Sequence, residues 1–543
     1  MIVNGPCNVA PIPSGLRERY LRSGLWDDTS LGALLIDSLQ RHPTQRVRIW
    51  SKRNGRDEDF GSLEAAARRV AGGLSQRGVA PGEPVVIWLP NGWEAIAAFV
   101  GVAVLGAVVV PVASFYGRKE LGEIVNAAGA SVVITCGRHG SRDYLSEVCD
   151  SRAQMPNLHT VVVCGAQHDR LPRPDLVSFE ELLSAPAAAL SPTGSADEAC
   201  LLAFTSGTSG TAKGVIHSHR TLGAEVRRHL EVMIPADATP QIMASPIAHA
   251  AGMTLGLLAP IHRGDPIHLA DTFDVDFILD TARTEGLAPG GGASVFLSAL
   301  IDHPKFTDEL AHRMGYVILG GSTVPESLVT QASRRGITVL RSYGLTEQPT
   351  VSAGRLDDDP RQLIRTDGRL LDGVEVQVRD HAGAVLPHGS EGEVFTRGPD
   401  RCAGYLQPDL NTAFDAQGWL TTGDVGILDA DGHLAVTARA KDLIIRNGVN
   451  ISPAEVESAL MSCAAVAEVA VVGVPDARTG ERAVAVVVAR DHGHVSLASL
   501  TAHLAEMGVA KPKWPEELQV VDELPRTASG KVRKNELKKT WLR

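Results

Sequence analysis

Short runs of β-branched residues alternate along this chain with stretches of helical periodicity, and this alternation restricts the fold more than any other feature. Residues 62–77 carry a helical spacing, whereas 84–88, 131–135, 159–163 and 316–319 are short Val/Ile-rich runs. A strand that is apolar throughout must be buried on both faces, so the pattern predicts parallel sheets covered by helices. From about Gly368 the rhythm changes. Short runs at 374–378, 392–396 and 434–437 are separated by the turn sequences Asp380-His381-Ala382-Gly383 and Asp429-Ala430-Asp431-Gly432, which predict a small antiparallel, β-barrel-like unit. After Arg439 the pattern resets. A helix from Pro453 behind Ser452 as N-cap, strands at 469–474 and 483–488, and a helix at 497–507 predict a compact α+β domain. The expected class is therefore α/β, with a large N-terminal domain over 1–438 (the β unit at about 368–438), a connection at 439–442 and a smaller α+β domain over 443–543. Residues 185–196, rich in Pro, Ala, Ser, Thr and Gly, read as a surface linker.

A chain of 543 residues exceeds one ordinary core. Its 52 basic and 63 acidic side chains give a net charge of −11, and aromatics make up only 4%. A nucleic-acid binder shows a basic footprint and stacking aromatics, so nucleic acid is not an expected partner. Seven cysteines are scattered without a Cys-x-x-Cys pair, which argues against a disulfide framework or a thiolate metal site and suits a reducing cytoplasm. The first 26 residues lack the apolar stretch of a signal peptide. Residues 95–117 are uncharged and long enough to cross a bilayer. Gly101, Gly106 and Pro111 interrupt them, however, and a buried helix, a glycine turn and a buried strand account for the stretch equally well. No transmembrane segment is expected; peripheral membrane contact and a homodimer stay open.

The densest chemical signal is Phe204-Thr205-Ser206-Gly207-Thr208-Ser209-Gly210-Thr211-Ala212-Lys213-Gly214. Residues 201–204 supply a strand, and Ser218 can cap a helix running on from His219. The glycines allow close backbone approach to an anion, while five hydroxyls and the Lys213 ammonium supply donors. It is not a Walker A loop, because Gly214 rather than Ser or Thr follows Lys213. Two further strand-to-glycine-to-helix corners are read, one at Gly320-Gly321-Ser322 and one at Ser342-Tyr343-Gly344-Leu345-Thr346-Glu347. In parallel sheets such corners line a ligand crevice. Glu347 offers a hard oxygen ligand for Mg²⁺. Thr421-Thr422-Gly423-Asp424 places a carboxylate where it could take both hydroxyls of a ribose, and Pro525-Arg526-Thr527-Ala528-Ser529-Gly530-Lys531 presents a lysine ahead of a basic tail.

In this order, these segments resemble the adenylate-forming superfamily of acyl- and aryl-CoA synthetases, adenylation domains and firefly luciferase, over about residues 30 to 540. The resemblance implies an ATP-dependent acid–thiol ligase that first forms an acyl-adenylate and pyrophosphate, then passes the acyl group to CoA. It implies that Thr205, Ser206, Gly207, Thr208, Ser209, Gly210, Thr211 and Lys213 wrap the β- and γ-phosphates. Gly320, Gly321, Ser322, Ser342, Tyr343 and Gly344 would border the adenine, with Tyr343 stacked on it. Thr346 and Glu347 would serve the α-phosphate and Mg²⁺, with Thr208 as a second metal ligand. Asp424 and Arg439 would hold the ribose, Lys531 would reach the α-phosphate, Lys441 would be the pivot of an interdomain hinge, and Gly448 would lie beside the thiol tunnel. Ala212, Ala438 and Asn447 depart from the family pattern, and none of these changes removes a charged or ligating group.

A carboxylate attacking ATP brings two anions together. Mg²⁺ at Glu347 and the Lys531 cation would offset the charge, and no general base is needed because the nucleophile is already ionised. His249-Ala250-Ala251-Gly252 resembles the segment that gates the acyl pocket in the family, and Pro289-Gly290-Gly291-Gly292-Ala293-Ser294 would form a wall of small side chains; His249, Gly252, Gly291 and Gly292 are the expected pocket residues. Small walls leave volume, so the expected acid is medium-length, cyclic or otherwise bulky and apolar. Two rival readings are a ligase that loads a carrier protein and an inactive nucleotide- or acyl-binding paralogue. The absence of an attached carrier domain favours CoA, and intact Lys213, Glu347, Asp424, Arg439 and Lys531 favour activity.

Overall fold

The computed structural model describes residues 10–165, 173, 175–191, 194–205, 212–235, 238–321, 324–446, 449–476, 478–490, 495–526 and 532–540. Helix α1 (Phe60–Gln76), capped by the Asp59 carboxylate, packs against strand β1 (Pro84–Trp88) through helix α2 (Trp93–Leu105). Helix α2 is buried at every position except Glu94 and ends on Gly106, in the left-handed region at φ 74°. Strand β2 (Val108–Pro111) follows, wholly buried. The uncharged stretch at 95–117 is thus a core helix, a glycine turn and a core strand, as the breaks within it required. Among the described residues no helix is long and apolar enough to cross a membrane.

Strands β3 (Val132–Cys136), β4 (Thr160–Cys164), β5 (Leu176–Ser178), β6 (Ala199–Thr205) and β7 (Lys213–Ser218) complete an eight-stranded sheet. Its order is Gly404–Tyr405, β7, β6, β2, β1, β3, β4, β5. The sheet is parallel from β6 to β5, but β6–β7 and β7–Gly404–Tyr405 are antiparallel. The glycine-rich segment therefore joins the two strands of a hairpin. Only after β7 does Ser218 cap helix α3 (His219–Ala224), its hydroxyl accepting from the Thr221 amide. Of the expected surface linker, residues 185–191 do lie largely at the surface, but they are laid along α1 and α2 rather than free, with the Ala188 amide donating to the Arg68 carbonyl and the Ser191 amide to that of Val104.

The short helix α4 (Ala250–Met253) leads toward a second sheet. Its strands β8 (Tyr316–Leu319), β9 (Thr338–Leu345), β10 (Gln348–Ala353) and β11 (Arg369–Leu370) run in that order, with helix α5 (Glu326–Arg334) between β8 and β9. Here the sequence reading needs correcting. No helix follows the second glycine corner: β9 runs straight through Ser342, Tyr343 and Gly344 and turns at Thr346-Glu347 into antiparallel β10. Gly344 makes this possible, because a Cβ there would stand 1.8 Å from the Pro349 carbonyl oxygen.

The β unit comprises β12 (Glu375–Arg379), β13 (Glu391–Arg397), β14 (Leu420–Leu428) and β15 (Leu434–Arg439), all antiparallel. The smaller domain contains β16 (Ile444–Arg446), β17 (Val449–Ile451), helix α6 (Pro453–Met461), β18 (Val466–Asp476), β19 (Gly480–Ala489), helix α7 (Leu497–Glu506) and β20 (Glu517–Val521). Its core lies between that sheet and the two helices, around Ile444, Val456, Leu460, Val471, Val487, Leu500 and Leu504. The class is α/β with a large N-terminal and a smaller α+β C-terminal domain.

Candidate active site

Strand β7 opens at Lys213, opposite Thr205 on β6, so the two ends of the glycine-rich loop are held side by side. Residues Ser206, Gly207, Thr208, Ser209, Gly210 and Thr211 lie outside the described residues, as do Ser322, Gly448 and Lys531. On the other flank of β7, Tyr405 pairs with Val215. The Tyr405 hydroxyl donates to Glu347 Oε1 at 2.6 Å, and the Cys402 amide donates to the Glu347 carbonyl at 2.7 Å. His217, two positions beyond Val215, places Nε2 2.7 Å from the Thr346 carbonyl oxygen. A carbonyl can only accept, so Nε2 carries the hydrogen. Burial lowers the His217 pKa and keeps the ring neutral, the Thr346 carbonyl opposing. The Thr346-Glu347 turn is thus pinned to the strand that begins at Lys213.

A second group of expected residues gathers around Asp424. This carboxylate is 1% exposed, on β14, directly across the ladder from Arg439 on β15. Arg439 Nε lies 2.7 Å from Oδ1, and the Tyr343 hydroxyl donates to Oδ2 at 2.6 Å. Burial, then the Asp424 charge, holds the Tyr343 phenol well above its ordinary range, so it stays a donor. Gly320 sits at the end of β8, where a Cβ would approach the Ser342 carbonyl oxygen to 2.8 Å, and Gly321 adopts φ 76°. Gly320, Gly321, Ser342, Tyr343 and Asp424 therefore form one connected neighbourhood. Beyond Arg439, a 3₁₀ turn (Ala440–Asp442) carries Lys441 exposed on the connection between domains.

The expected acyl-pocket residues divide into two kinds. His249 precedes α4, with its ring centroid 6.4 Å from that of Phe115. Surrounding protein lowers the pKa of the imidazole through burial, yet the residue is open to solvent. Gly252 and the glycine run have a different explanation from the one the sequence suggested. A Cβ at Gly252 would lie 2.1 Å from the Pro246 carbonyl oxygen, one at Gly290 2.2 Å from that of Ile242, and one at Gly291 2.4 Å from Val317 Cγ2. These residues are small because backbones pack against them, which by itself opens no volume. Gly292, at φ 149°, would direct a Cβ to within 2.6 Å of Ser245 Oγ.

Several positioning residues were missed from sequence. Buried Asn91 donates through Nδ2 to the Ser245 and Ala270 carbonyls and accepts from the Ile247 amide, fixing the approach to His249. His217, Cys402 and Tyr405 act on a turn that lies between 55 and 130 residues away along the chain, so local sequence carries no signal for them.

Two family profiles match in order: AMP-binding enzyme over residues 36–406 and AMP-binding enzyme C-terminal domain over 455–531. A medium-chain fatty-acid–CoA ligase of Escherichia coli is 30% identical over 97% of this chain and 93% of its own length. A (methyl-dioxo-octahydroindenyl)propanoyl:CoA ligase of Mycobacterium tuberculosis is 34% identical over 89% of this chain and 94% of its own. Among solved structures, ATP-bound MatB from Rhodopseudomonas palustris superposes with a TM-score of 0.84 at 27% identity, covering 95% of this chain and 99% of that one. The chain belongs to the AMP-binding enzyme family, within the adenylate-forming acyl-CoA synthetases.

Proposed function

We propose that this enzyme, an AMP-forming acid–CoA ligase, joins a medium-length, cyclic or bulky apolar carboxylic acid to CoA through an acyl-adenylate. The observation that carries the reading is the pinning of the Glu347 turn, through Tyr405 and His217, to the strand that opens at Lys213. Tyr405, the partner of Glu347, pairs with Val215 two residues beyond Lys213, which supports one site served by both side chains.

In the first half-reaction the acid's carboxylate oxygen attacks the α-phosphorus, a P–O bond forms, and pyrophosphate leaves. The nucleophile is already ionised, so the protein's task is to orient it and to offset negative charge. Lys213 and the loop amides and hydroxyls would hold the leaving phosphates, and Lys531 the α-phosphate. Asp424, with Arg439 beside it, would take the ribose hydroxyls, and the Tyr343 phenol would then yield Oδ2 to the sugar. The donor set suits magnesium: Tyr405 occupies Oε1 of Glu347, while Oε2 has no hydrogen-bond partner among the described residues and is a hard oxygen ligand. Bound there with Thr208, the ion would neutralise phosphate charge as the pyrophosphate leaves.

In the second half-reaction the CoA thiol loses its proton to solvent, the sulfur attacks the acyl carbon, and the acyl C–O bond breaks as AMP leaves with the electron pair. Lys531 would obstruct the thiol at that stage, so we place a hinge at 439–442 with Lys441 as pivot, joining an adenylation domain at 1–438 to a mobile domain at 443–543. Gly448 would border the thiol path. His249 would gate the acyl pocket beside Phe115. Two relatives support the acid class by their names, a medium-chain fatty-acid–CoA ligase and a bicyclic propanoyl:CoA ligase.

The test is a panel of carboxylic acids in ATP–pyrophosphate exchange, with and without CoA, and mass analysis of the product. Exchange and acyl-CoA formation with apolar acids of six or more carbons are expected. Absence of exchange with every acid would remove the enzymatic reading, and preference for acetate or amino acids would remove the acid class.

A further inference from the structure

Behind the Glu347 turn lies a fully buried polar cluster with no part in the chemistry described above. Glu225 and His229 lie one turn apart on a π-helical segment (Glu225–His229), and Asp400 lies on the connection after β13. All three are 0% exposed, as is Gln348, the residue that follows Glu347. Gln348 Nε2 donates to Asp400 Oδ1 at 3.0 Å, and the Thr396 hydroxyl donates to Gln348 Oε1 at 3.1 Å. Two residues along β10, on the same face, the Thr350 hydroxyl donates to Glu225 Oε1 at 2.7 Å. His229 Nδ1 is 3.1 Å from Glu225 Oε2 and 3.7 Å from Asp400 Oδ2, while Nε2 is 3.1 Å from the Asp372 carbonyl oxygen.

With Glu225 ionised, every one of those atoms is an acceptor, and an imidazolium, with a hydrogen on each ring nitrogen, satisfies them all; burial raises the Glu225 pKa, and the hydrogen bond with His229 opposes that rise. Burial opposes that charge, but Asp400 and Glu225 raise the His229 pKa well above its ordinary range. Arg401, also fully buried, follows Asp400 directly. The Asp400 and Glu225 carboxyls thus face the His229 ring, and pairing of that kind is the condition for burying such groups at all. The same three side chains converge closely enough to hold a metal ion, their ligand atoms within 4.8 Å of one another.

The cluster's position gives it a use. Residues 346–350 and 400–405 are joined at successive levels. Gln348 bonds Asp400, the Glu347 carbonyl accepts from the Cys402 amide, and Glu347 Oε1 accepts from Tyr405. Gly398 leaves room for the deepest of these, since a Cβ there would stand 2.4 Å from Gln348 Nε2 and 2.7 Å from Asp400 Oδ1. We propose that Gln348 and Asp400 are positioning residues for Glu347: their buried hydrogen bond, seated on His229 and Glu225, fixes the turn that presents the Glu347 carboxylate for adenylate formation. The inference rests on the assignment of Glu347 above.

The test uses the full-length enzyme and separates the half-reactions. Gln348→Glu sets a carboxylate against Asp400. It is expected to slow acyl-adenylate formation by roughly tenfold or more and to raise the magnesium concentration needed for half-activation, since small displacements of a positioned group are costly. Thioester formation from supplied acyl-adenylate should stay within about twofold, because pyrophosphate departure is no longer involved. Adding Asp400→Asn reverses donor and acceptor, restores the charge balance, and should recover most of the lost rate. If Gln348→Glu does not fold, Gln348→Met removes the bond at similar volume and should show the same split. Unchanged adenylation in Gln348→Glu or Gln348→Met, equal loss of both half-reactions, a double variant no better than the single, or a stoichiometric metal in the purified enzyme that His229→Gln loses would each overturn the proposal. A wild-type enzyme without pyrophosphate exchange would instead overturn the functional reading itself.

Discussion

The Glu347 turn and the connection at Ala440–Asp442 are built on opposite principles. The turn is held by His217 from β7, by Tyr405 from the neighbouring strand and by Cys402 just before that strand, residues that are 1%, 6% and 0% exposed. The connection is a single 3₁₀ turn with Lys441 in solvent. Just before it, Arg439 is tied back to Asp424 of the same β unit; just after it, the Ser452 hydroxyl donates to the Thr437 carbonyl at 2.5 Å. Electrostatic stabilisation of a leaving pyrophosphate is effective only from groups fixed before the reaction. A second step at the same place needs other groups to withdraw. On the proposed two-step mechanism, the difference between the regions is the one such a ligase would require, and it can be broken at either end.

The largest effect is expected at Lys531, beyond the connection. Lys531→Ala should lower acyl-adenylate formation by about 10²–10³-fold, the cost of removing one preorganised charge donor, while supplied acyl-adenylate is still converted to thioester. Rapid-quench measurement of each half-reaction decides it. Equal losses would mean that Lys531 is not withdrawn between steps, and the contrast drawn above would fail.

The next effect falls on the fixed side through pH. His219 is 4% exposed, and its Nδ1 accepts from the Leu31 amide at 3.0 Å, a bond only the unprotonated nitrogen can accept. Burial pushes its pKa down from 6.5 to about 4. The unfolded chain binds a proton below pH 6.5 that the folded imidazole refuses until about pH 4. Stability from this group is thus present above 6.5 and lost as pH falls toward 4, by roughly 1–3 kcal/mol. Denaturant unfolding at pH 7.5 and 5 should show the loss, and His219→Asn, which keeps an acceptor without the titration, should shrink it. An identical pH dependence in the variant would show that the imidazole does not couple folding to protonation.

How far these regions were legible in sequence follows from the distances over which they are assembled. The strands at Pro84–Trp88 and Tyr316–Leu319, the Ser218 and Ser452 caps and the buried helix before Gly106 all depend on neighbours a few residues away, and the patterning found them. The family resemblance marked Asp424, Arg439 and Tyr343, which the fold gathers. The turn at Thr346-Glu347 was misread as a corner before a helix, because glycine at 344 signals a turn as readily as the bulged, tightly packed strand it serves. The small wall at Gly290-Gly291 was read as room for substrate, although the closeness of Ile242 and Val317, which no local pattern reveals, explains it. Tyr405 and His217 were invisible for the same reason.

A smaller change sharpens the fixed side. Tyr405→Phe removes the donor to Glu347 Oε1 without altering shape. A hydrogen bond to a charged group contributes about 1.5–3 kcal/mol, so adenylation should fall by roughly tenfold, with a higher magnesium requirement and little change in the thioester step. Loss confined to thioester formation would show that the phenol serves the acceptor side instead.

The smallest effect belongs to the tie across the connection. Ser452 both caps α6, accepting from the Glu455 amide at 3.3 Å, and donates to Thr437 in the β unit. Ser452→Ala loses both and should cost the smaller domain about 1 kcal/mol. Ser452→Asp keeps the capping acceptor but, when ionised, has no hydrogen to donate. If the tie only holds a resting arrangement that catalysis must leave, Ser452→Asp should unfold at nearly the wild-type temperature, turn over within about twofold of wild type, and expose the connection at 439–442 to faster proteolysis. A several-fold fall in turnover with unchanged proteolysis would mean that the contact belongs to a working conformation, and that the connection is less loosely built than its single turn suggests.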